Sequence, residues 1–293
     1  MNRLPYLLVI PATIIILLVG AYPILFSLLL SLSSFSIVNP QIEVVGFHNY
    51  IGALLDPIFW NSAGVTLLYV VGSLVVEFSV GIILGMALIG DFRGKTIFHS
   101  ILIVPLAVSP IVLGILSSPV EIWDDINTLL YYGTGLGLYI DLFQPVTYYS
   151  VIILADAWLW SPLFMLVVIA IVQGIPKEHF EAANIHGASA FQTFSKITFP
   201  AIVRSPVMGF VLVLRAIDSF KAFEIPYAWT FWLGLDDLGT PVDTFGVLMW
   251  KLLTSSVYDF PLARIAAISI MMTFIALVFA AVTLRICGKT WSE

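Results

Sequence analysis

The stretch VTLLYVVGSLVVEFSVGIILGMALI, from Val65 to Ile89, carries one ionisable side chain, Glu77, in an otherwise apolar run. A helix needs about 20 predominantly apolar residues to cross the hydrocarbon core of a bilayer, where no water satisfies exposed backbone groups. This run is long enough. Five others resemble it in character: Tyr6–Leu32, Phe98–Leu116, Val151–Val172, Val207–Phe220 and Ala263–Ile286. The fifth in chain order, Val207–Phe220, is short and carries Arg215 and Asp218. The first exceeds the apolar region of a signal peptide, and no small-residue cleavage site clearly ends it, so it is expected to stay attached. The expected fold is an all-α integral membrane protein with about six transmembrane helices, forming one domain over residues 1–293.

Composition agrees. The 293 residues are 60% hydrophobic and 10% charged, with a mean hydropathy of +1.05, whereas a soluble domain carries about 25% charged residues to wet its surface. Most of the surface must face lipid. The net charge of −6 comes without a basic patch, which argues against nucleic acid. One cysteine, Cys287, excludes an intrachain disulfide and a cysteine metal cluster. His48, His99, His179 and His186 lack metal-ligand spacing, and no metal site is expected.

Lys and Arg set the orientation. With the N-terminus inside, Arg3, Arg93, Lys95, Lys177, Lys196, Arg204, Arg285 and Lys289 are cytoplasmic. Lys221, Lys251 and Arg264 fall outside, together with Glu121, Asp124, Asp125, Asp141, Asp236, Asp237, Asp243 and Asp259. Both termini are then cytoplasmic. Residues 33–64, 117–150 and 221–262 form the outer loops, and 174–204 a cytoplasmic one. Within the last outer loop, Phe245–Leu253 reads as a short amphipathic helix lying at the outer interface.

Three glycine patterns carry no chemistry. Gly94-Lys95-Thr96 ends like a phosphate-binding loop, but position 89 is Ile where that motif needs glycine. Gly133-Thr134-Gly135-Leu136-Gly137 has no strand-turn-helix around it. Gly81 and Gly85 make a small-xxx-small helix-packing pair. The chain is therefore not expected to hydrolyse ATP by itself.

The segment from Gly174 to Pro200 reads as two short helices joined by a glycine. Pro176 suits a first helical position, and Glu178 complements the helix dipole. Gly187 can take the left-handed C-terminal cap, and Ser189 with Gln192 forms a capping box opening the second helix. Pro200 is expected to break that helix before the fifth span. Ala182 and Ala183 leave a small face for close approach of another surface. The pattern Glu181-Ala182-Ala183, then Gly187, Ile197 and Pro200, resembles the EAA motif of binding-protein-dependent ABC importer permeases. Ile175-Pro176-Lys177-Glu178, Gly187-Ala188-Ser189 and Ile197-Thr198-Phe199-Pro200 resemble the sugar branch, the maltose and glycerol-phosphate permeases. His186 stands where Asp is common and Phe199 where Leu is common. Ala21-Tyr22-Pro23, Gly46-Phe47-His48-Asn49-Tyr50, Val104-Pro105 to Ser109-Pro110 and Asp156-Ala157-Trp158 extend the resemblance over nearly the whole chain.

The resemblance implies the type I permease fold of ABC importers and a location in the cell membrane. It implies that Phe180, Glu181, Ala182, Ala183, Asn184 and Gly187 form a coupling helix seated in a cytoplasmic ATPase. The implied partners are a second homologous permease, two ATPase subunits that bind ATP and Mg, and an extracytoplasmic sugar-binding protein. No cofactor belongs to this chain and no residue is catalytic; nucleic acid is not a partner. Leu159, Trp160 and Leu163 match fourth-helix positions lining the sugar site of maltose-type permeases. Val213, Ala216, Ile217 and Phe220 match fifth-helix positions there, and their i, i+3, i+4, i+7 spacing puts them on one face. Most are apolar, so either the partner permease supplies most polar contacts or this subunit forms only the greasy wall of a shared passage, the second being the preferred reading.

Ionisable residues inside a membrane usually face a pathway or a partner. Arg215 and Asp218, three apart on one face, are read as a pair, and Glu77 as packed against polar groups in the bundle. Asp156 is either an acceptor for a sugar hydroxyl or a hydrogen-bond partner for a neighbouring helix. Trp158, Trp160, Phe164 and Phe220 offer aromatic faces of the kind that stack on sugars. Two other readings stand beside the importer. An ion-coupled secondary carrier would show a pseudo-repeat and broken helices. A membrane-embedded enzyme would need a clustered catalytic set, which Asp156 and Asp218 do not make.

Overall fold

A computed structural model of the chain describes residues 4–38, 40–118, 122–133, 141, 144–235, 237–238, 240, 242–254 and 261–291. Glu121, Asp236, Asp259, Arg3 and the glycines at 135 and 137 lie outside the described residues, as do the side chains of Asp124, Asp125, Cys287 and Lys289. Among the described residues the chain is helical, apart from loops and one isolated antiparallel bridge between Ser33 and Val44.

The first span is α1 (Leu4–Ile16) running through a π-turn (Leu17–Ala21) into α2 (Tyr22–Ser31). Its packing is one-sided, α2 lying against α15, and an 18-residue window within Val9–Ser31 contains no buried residue. The short α3 (His48–Leu54) folds back on the end of α2. The Asn49 side chain donates to the Ser31 and Ser33 carbonyls, 2.8 Å each, and the Tyr50 hydroxyl meets Ser31 Oγ at 2.7 Å. These bonds satisfy carbonyls that the end of α2 leaves open.

The second span, α4 (Pro57–Ala87), starts two turns before the expected Val65, because the Asp56 side chain caps it by accepting from the Ile58 N–H. The fourth, α8 (Pro145–Gln173), is likewise longer than expected. The sixth is α15 (Leu262–Trp291). α4 and α8 form the most extensive helix pair. Gly81 and Gly85 make this possible: a Cβ on Gly81 would lie 2.3 Å from Phe164 Cβ, and one on Gly85 would lie 2.7 Å from Val168 Cγ1.

The third and fifth spans are not straight. α5 (Lys95–Ile103) passes through a 3₁₀ turn (Val104–Ala107) and then meets α6 (Pro110–Ser117) at 93°. Val108 is already extended, ψ 135°, and Pro110 holds Ser109 before it extended as well, ψ 132°, which keeps the two helices apart. On the fifth span, α12 (Pro206–Phe220) is about 22 Å long, short of the roughly 30 Å of a bilayer core. It is preceded at a 60° bend by the helical stretch Ala190–Val203 and followed by α13 (Glu224–Trp232) after a non-helical step at residues 221–223. Among the described residues four helices are long and apolar enough to span alone, and up to six spans result if each bent pair counts as one.

One further expectation is corrected. Pro200 does not end the second short helix. α10 (Ala190–Thr193) continues through a π-turn (Phe194–Thr198) into α11 (Phe199–Val203), and the break comes at Ser205, before Pro206. The π-turn sends the Phe199 N–H back to the Phe194 carbonyl. This wider turn relieves the clash a proline ring makes with the preceding turn. The π-turn before Tyr22-Pro23 stands in the same place relative to its proline. The helix expected over Phe245–Leu253 exists as α14 (Phe245–Thr254). Phe245, Leu248 and Leu252 are buried with Ala53, Phe59 and Ile268, and the buried Lys251 ammonium of the same helix is neutralised by Asp243 at 2.6 Å. α7 (Ile122–Thr128) occupies part of the segment before α8, and α9 (Lys177–Ile185) follows it.

Candidate substrate cavity and docking loop

Glu77 projects from α4 and Asp156 from α8, at a level fixed by the close approach of those helices. Arg215 enters from α12 and joins them. Its Nε donates to both Glu77 oxygens, at 3.1 and 3.0 Å, and its Nη2 to Glu77 Oε1 at 2.8 Å. Nη2 also donates to Asp156 Oδ2, and Nη1 to Asp218 Oδ2 at 3.0 Å. The Arg215 side chain is 3% exposed, Glu77 0% and Asp218 52%. The Trp160 ring centre lies 4.7 Å from the guanidinium carbon, within cation–π range. A planar, permanently charged fork suits this task as an ammonium would not.

The pairing of Arg215 with Asp218 and the inward placement of Glu77 are as the sequence indicates. Asp156 is bonded to a neighbouring helix through Arg215. The three-helix convergence is not readable from spacing, since Glu77, Asp156 and Arg215 are far apart in sequence. Their occurrence inside apolar runs was the available signal.

A cavity of about 240 Å³ opens beside this cluster. Asp156, Trp160, Arg215 and Asp218 line it together with Tyr69, Pro110 and the segment of residues 221–226. Both helix breaks therefore meet here: Pro110 at the start of α6, and the non-helical step between α12 and α13. Irregular backbone at membrane depth is tolerated where it is buried in protein or lines a polar cavity. Lys221 and Glu224 stand at the rim.

The remaining expected pathway residues sit elsewhere. Leu159 is buried and Leu163 half-buried in α8. Val213, Ala216 and Phe220 do share a face, with Ile217 half-buried beside them, but that face is turned into the bundle, where α12 packs on α4 and α15. Phe220 packs edge-on to Phe279 at 5.5 Å. Apolar side chains gain more from this core than from a polar cavity wall.

At one end of the bundle, α9 and α10 form the expected pair. Glu178 lies in the first turn of α9, and Pro176 takes the N-cap, one residue before the helix. Gly187 has φ +68°, and no atom lies within 4 Å of where its Cβ would be. The capping box is complete: the Gln192 N–H donates to Ser189 Oγ at 3.3 Å, and the Ser189 N–H to Gln192 Oε1 at 2.8 Å. Glu181, Ala182 and Asn184 are exposed and Ala183 is half-buried. Phe180 instead turns inward against the cluster of Val172 and Ile202, anchoring the helix. Sequence reading missed two neighbours, Ile185 at 83% exposure and Phe191 at 76%, which bracket Gly187 with bare apolar surface. Behind the pair lies an open groove of about 730 Å³ lined by Gly174, His179 and Lys196 among others.

Residues 77–287 match the family described as binding-protein-dependent transport system inner membrane component. An inner membrane ABC transporter permease protein of Escherichia coli, YcjO, is 31% identical, covering 97% of this chain and 96% of its own. The trehalose/maltose transport system permease MalF of Thermococcus litoralis is 28% identical over 78% of this chain and 77% of its own. The arabinooligosaccharides permease AraP of Bacillus subtilis is 28% identical over 99% and 90%. Among solved structures, a chain of a bacterial alginate ABC transporter, crystallised with an alginate-bound periplasmic protein, superposes with a TM-score of 0.75 at 19% identity. It covers 98% of this chain and 95% of its own, and the fold is that of ABC importer permeases. The chain belongs to the family of binding-protein-dependent transport system inner membrane components.

Proposed function

We propose that this chain is the permease subunit of an ATP-driven sugar importer. It forms half of the translocation pathway together with a second homologous permease. Two ATPase subunits bind ATP and Mg in the cytoplasm, and an extracytoplasmic binding protein delivers the sugar. The observation that carries the coupling role is the glycine-hinged pair α9–α10, with Ile185 and Phe191 bare on either side of Gly187. Exposed apolar side chains on a capped, rigid helical pair mark a docking surface for another protein. Lys177, Lys196 and Arg204 on this segment favour a cytoplasmic position, with both termini on the same side. The relatives named for trehalose, maltose and arabinooligosaccharides support a sugar as cargo.

The substrate passes the cavity beside Arg215, where Asp156 and Trp160 line the wall. Leu159, Leu163, Val213, Ala216, Ile217 and Phe220 back that wall from within the bundle. The broken helices would also suit an ion-coupled carrier; the docking pair and the family match favour the importer.

The test is Gly187→Val. A branched side chain at φ +68° costs roughly 1 kcal/mol or more in backbone strain and re-aims α9. In vesicles holding the assembled transporter, wild type is expected to show ATP hydrolysis stimulated by the binding protein together with sugar uptake. Gly187→Val is expected to lose both while still assembling. Uptake by the variant at the wild-type rate would overturn the coupling role of this segment.

A further inference from the structure

The loop between α13 and α14 turns polar groups inward onto a single positive charge. Lys251 projects from the last turn of α14 with its side chain 9% exposed. Its Nζ meets four oxygens: the Leu235 carbonyl at 2.6 Å, the Asp237 carbonyl at 2.9 Å, Thr240 Oγ1 at 3.2 Å and Asp243 Oδ1 at 2.6 Å. An ammonium has three hydrogens, so four oxygens around it make the shell of a cation rather than a set of single hydrogen-bond partners. The shell is itself braced. The fully buried Asp243 accepts from the Thr240 N–H at 3.1 Å and from the Thr240 hydroxyl at 2.6 Å. Asn61 of α4 donates to the Thr240 carbonyl at 2.9 Å, and the Thr244 hydroxyl donates to the Ala222 carbonyl at 2.8 Å. The loop also packs on two apolar clusters, through Val242 on that of Tyr148 and Trp229, and through Leu238 on that of Phe59 and Leu248. Two carbonyls and a carboxylate are thereby turned away from water, where they need a cation to balance them.

We propose that Leu235, Asp237, Thr240 and Asp243 form a monovalent-cation site of ammonium size, filled in this chain by its own Lys251 side chain. Ligand type and distance set the class. Carbonyl and carboxylate oxygens are the groups that replace the hydration shell of a hard cation. The observed 2.6–3.2 Å runs longer than the roughly 2.3–2.6 Å at which calcium is held. One carboxylate balances one positive charge, not two. Tethering the cation has a consequence. A free ion leaves when its concentration falls, whereas an ammonium carried on α14 keeps an effective concentration set by the helix that holds it. The loop therefore keeps its shape, and its tie to α4, whatever ions surround the protein. The site shares no residue with the cavity beside Arg215 and stands without the importer reading.

The test is chemical rescue in the full chain, solubilised in detergent and carrying Cys287→Ser. Leu238→Cys serves as reporter, because Leu238 is half-buried and lies between two of the shell residues. With Lys251 in place, the reporter is expected to react slowly with a water-soluble maleimide. Lys251→Ala removes the ammonium with three carbons of its stem, and n-propylammonium has the same atoms. The substitution is expected to raise the labelling rate roughly ten- to a hundredfold, the weight of one charge-assisted hydrogen bond. Propylammonium is expected to bring most of that rise down again, and potassium part of it. Tetramethylammonium at equal ionic strength, too large and without N–H donors, is expected to do nothing. Lys251→Met fills the stem with an apolar chain and is expected to label fast in all three salts, which a merely space-filling role for Lys251 would not produce. A slow reporter in Lys251→Met, or equal recovery of Lys251→Ala in propylammonium and tetramethylammonium, would overturn the site. If Lys251→Ala is lost on solubilisation, its yield carries the same comparison: recovery in propylammonium alone supports the site, and equal loss in both salts overturns it.

Discussion

Arg215 shows how one residue can hold three helices and expose them to risk. Its fork is shared by Glu77 on α4, Asp156 on α8 and Asp218 on its own helix. Buried ion pairs gain little over a well-packed apolar core, but removing one partner strands the others as uncompensated charge. Arg215→Leu is therefore expected to cost about 3–5 kcal/mol, read as a fall in the melting temperature of the detergent-solubilised protein. Adding Glu77→Gln and Asp156→Asn is expected to recover most of that loss. If Arg215→Leu melts with wild type, the cluster carries no net charge interaction. The pair of Arg264 with Asp56 provides the contrast. Those side chains are 27% and 22% exposed, so Arg264→Gln is expected to cost only about 1 kcal/mol.

At the scale of elements, glycine decides which helices approach and proline decides where they turn. Gly81 brings α4 against α8 so closely that an added Cβ would lie 2.3 Å from Phe164 Cβ and 3.1 Å from the Met165 backbone nitrogen. Backbone cannot yield locally, so the helices must separate, and Glu77 would then move away from Asp156. Gly81→Val is expected to destabilise by roughly 1–3 kcal/mol or more through overpacking. Gly64, in the same helix, has nothing within 4 Å of its virtual Cβ. Gly64→Ala is expected to be neutral or to stabilise by about 0.5–1 kcal/mol, since glycine in a helix loses more chain entropy. Melting curves of the two variants side by side check both signs. Gly81 and Gly85 were legible as a packing motif because their spacing is a property of one helix. The π-turns before Pro23 and Pro200 were not, since sequence shows a proline but not the wider turn that accommodates it.

At the scale of the whole molecule, orientation rests on the charges flanking the spans. Cysteines placed at Lys177 and Asp237 in a Cys287-free background are expected to label from opposite faces of the membrane, and modification of both from the outside would overturn the six-span topology. The sequence by itself determined that the chain crosses a membrane repeatedly, where the apolar runs lie, and that Gly187, Ser189 and Gln192 build a capped helical pair. Each of these depends on neighbours within a few turns or on bulk transfer from water to lipid. Only the tertiary structure decided that two of the spans are bent, that Lys251 is buried against Asp243, and that Glu77, Asp156 and Arg215 meet beside a cavity. Those features arise from helices crossing at distances and angles fixed by packing, and residues separated by 59 and 138 positions become neighbours only when the bundle closes.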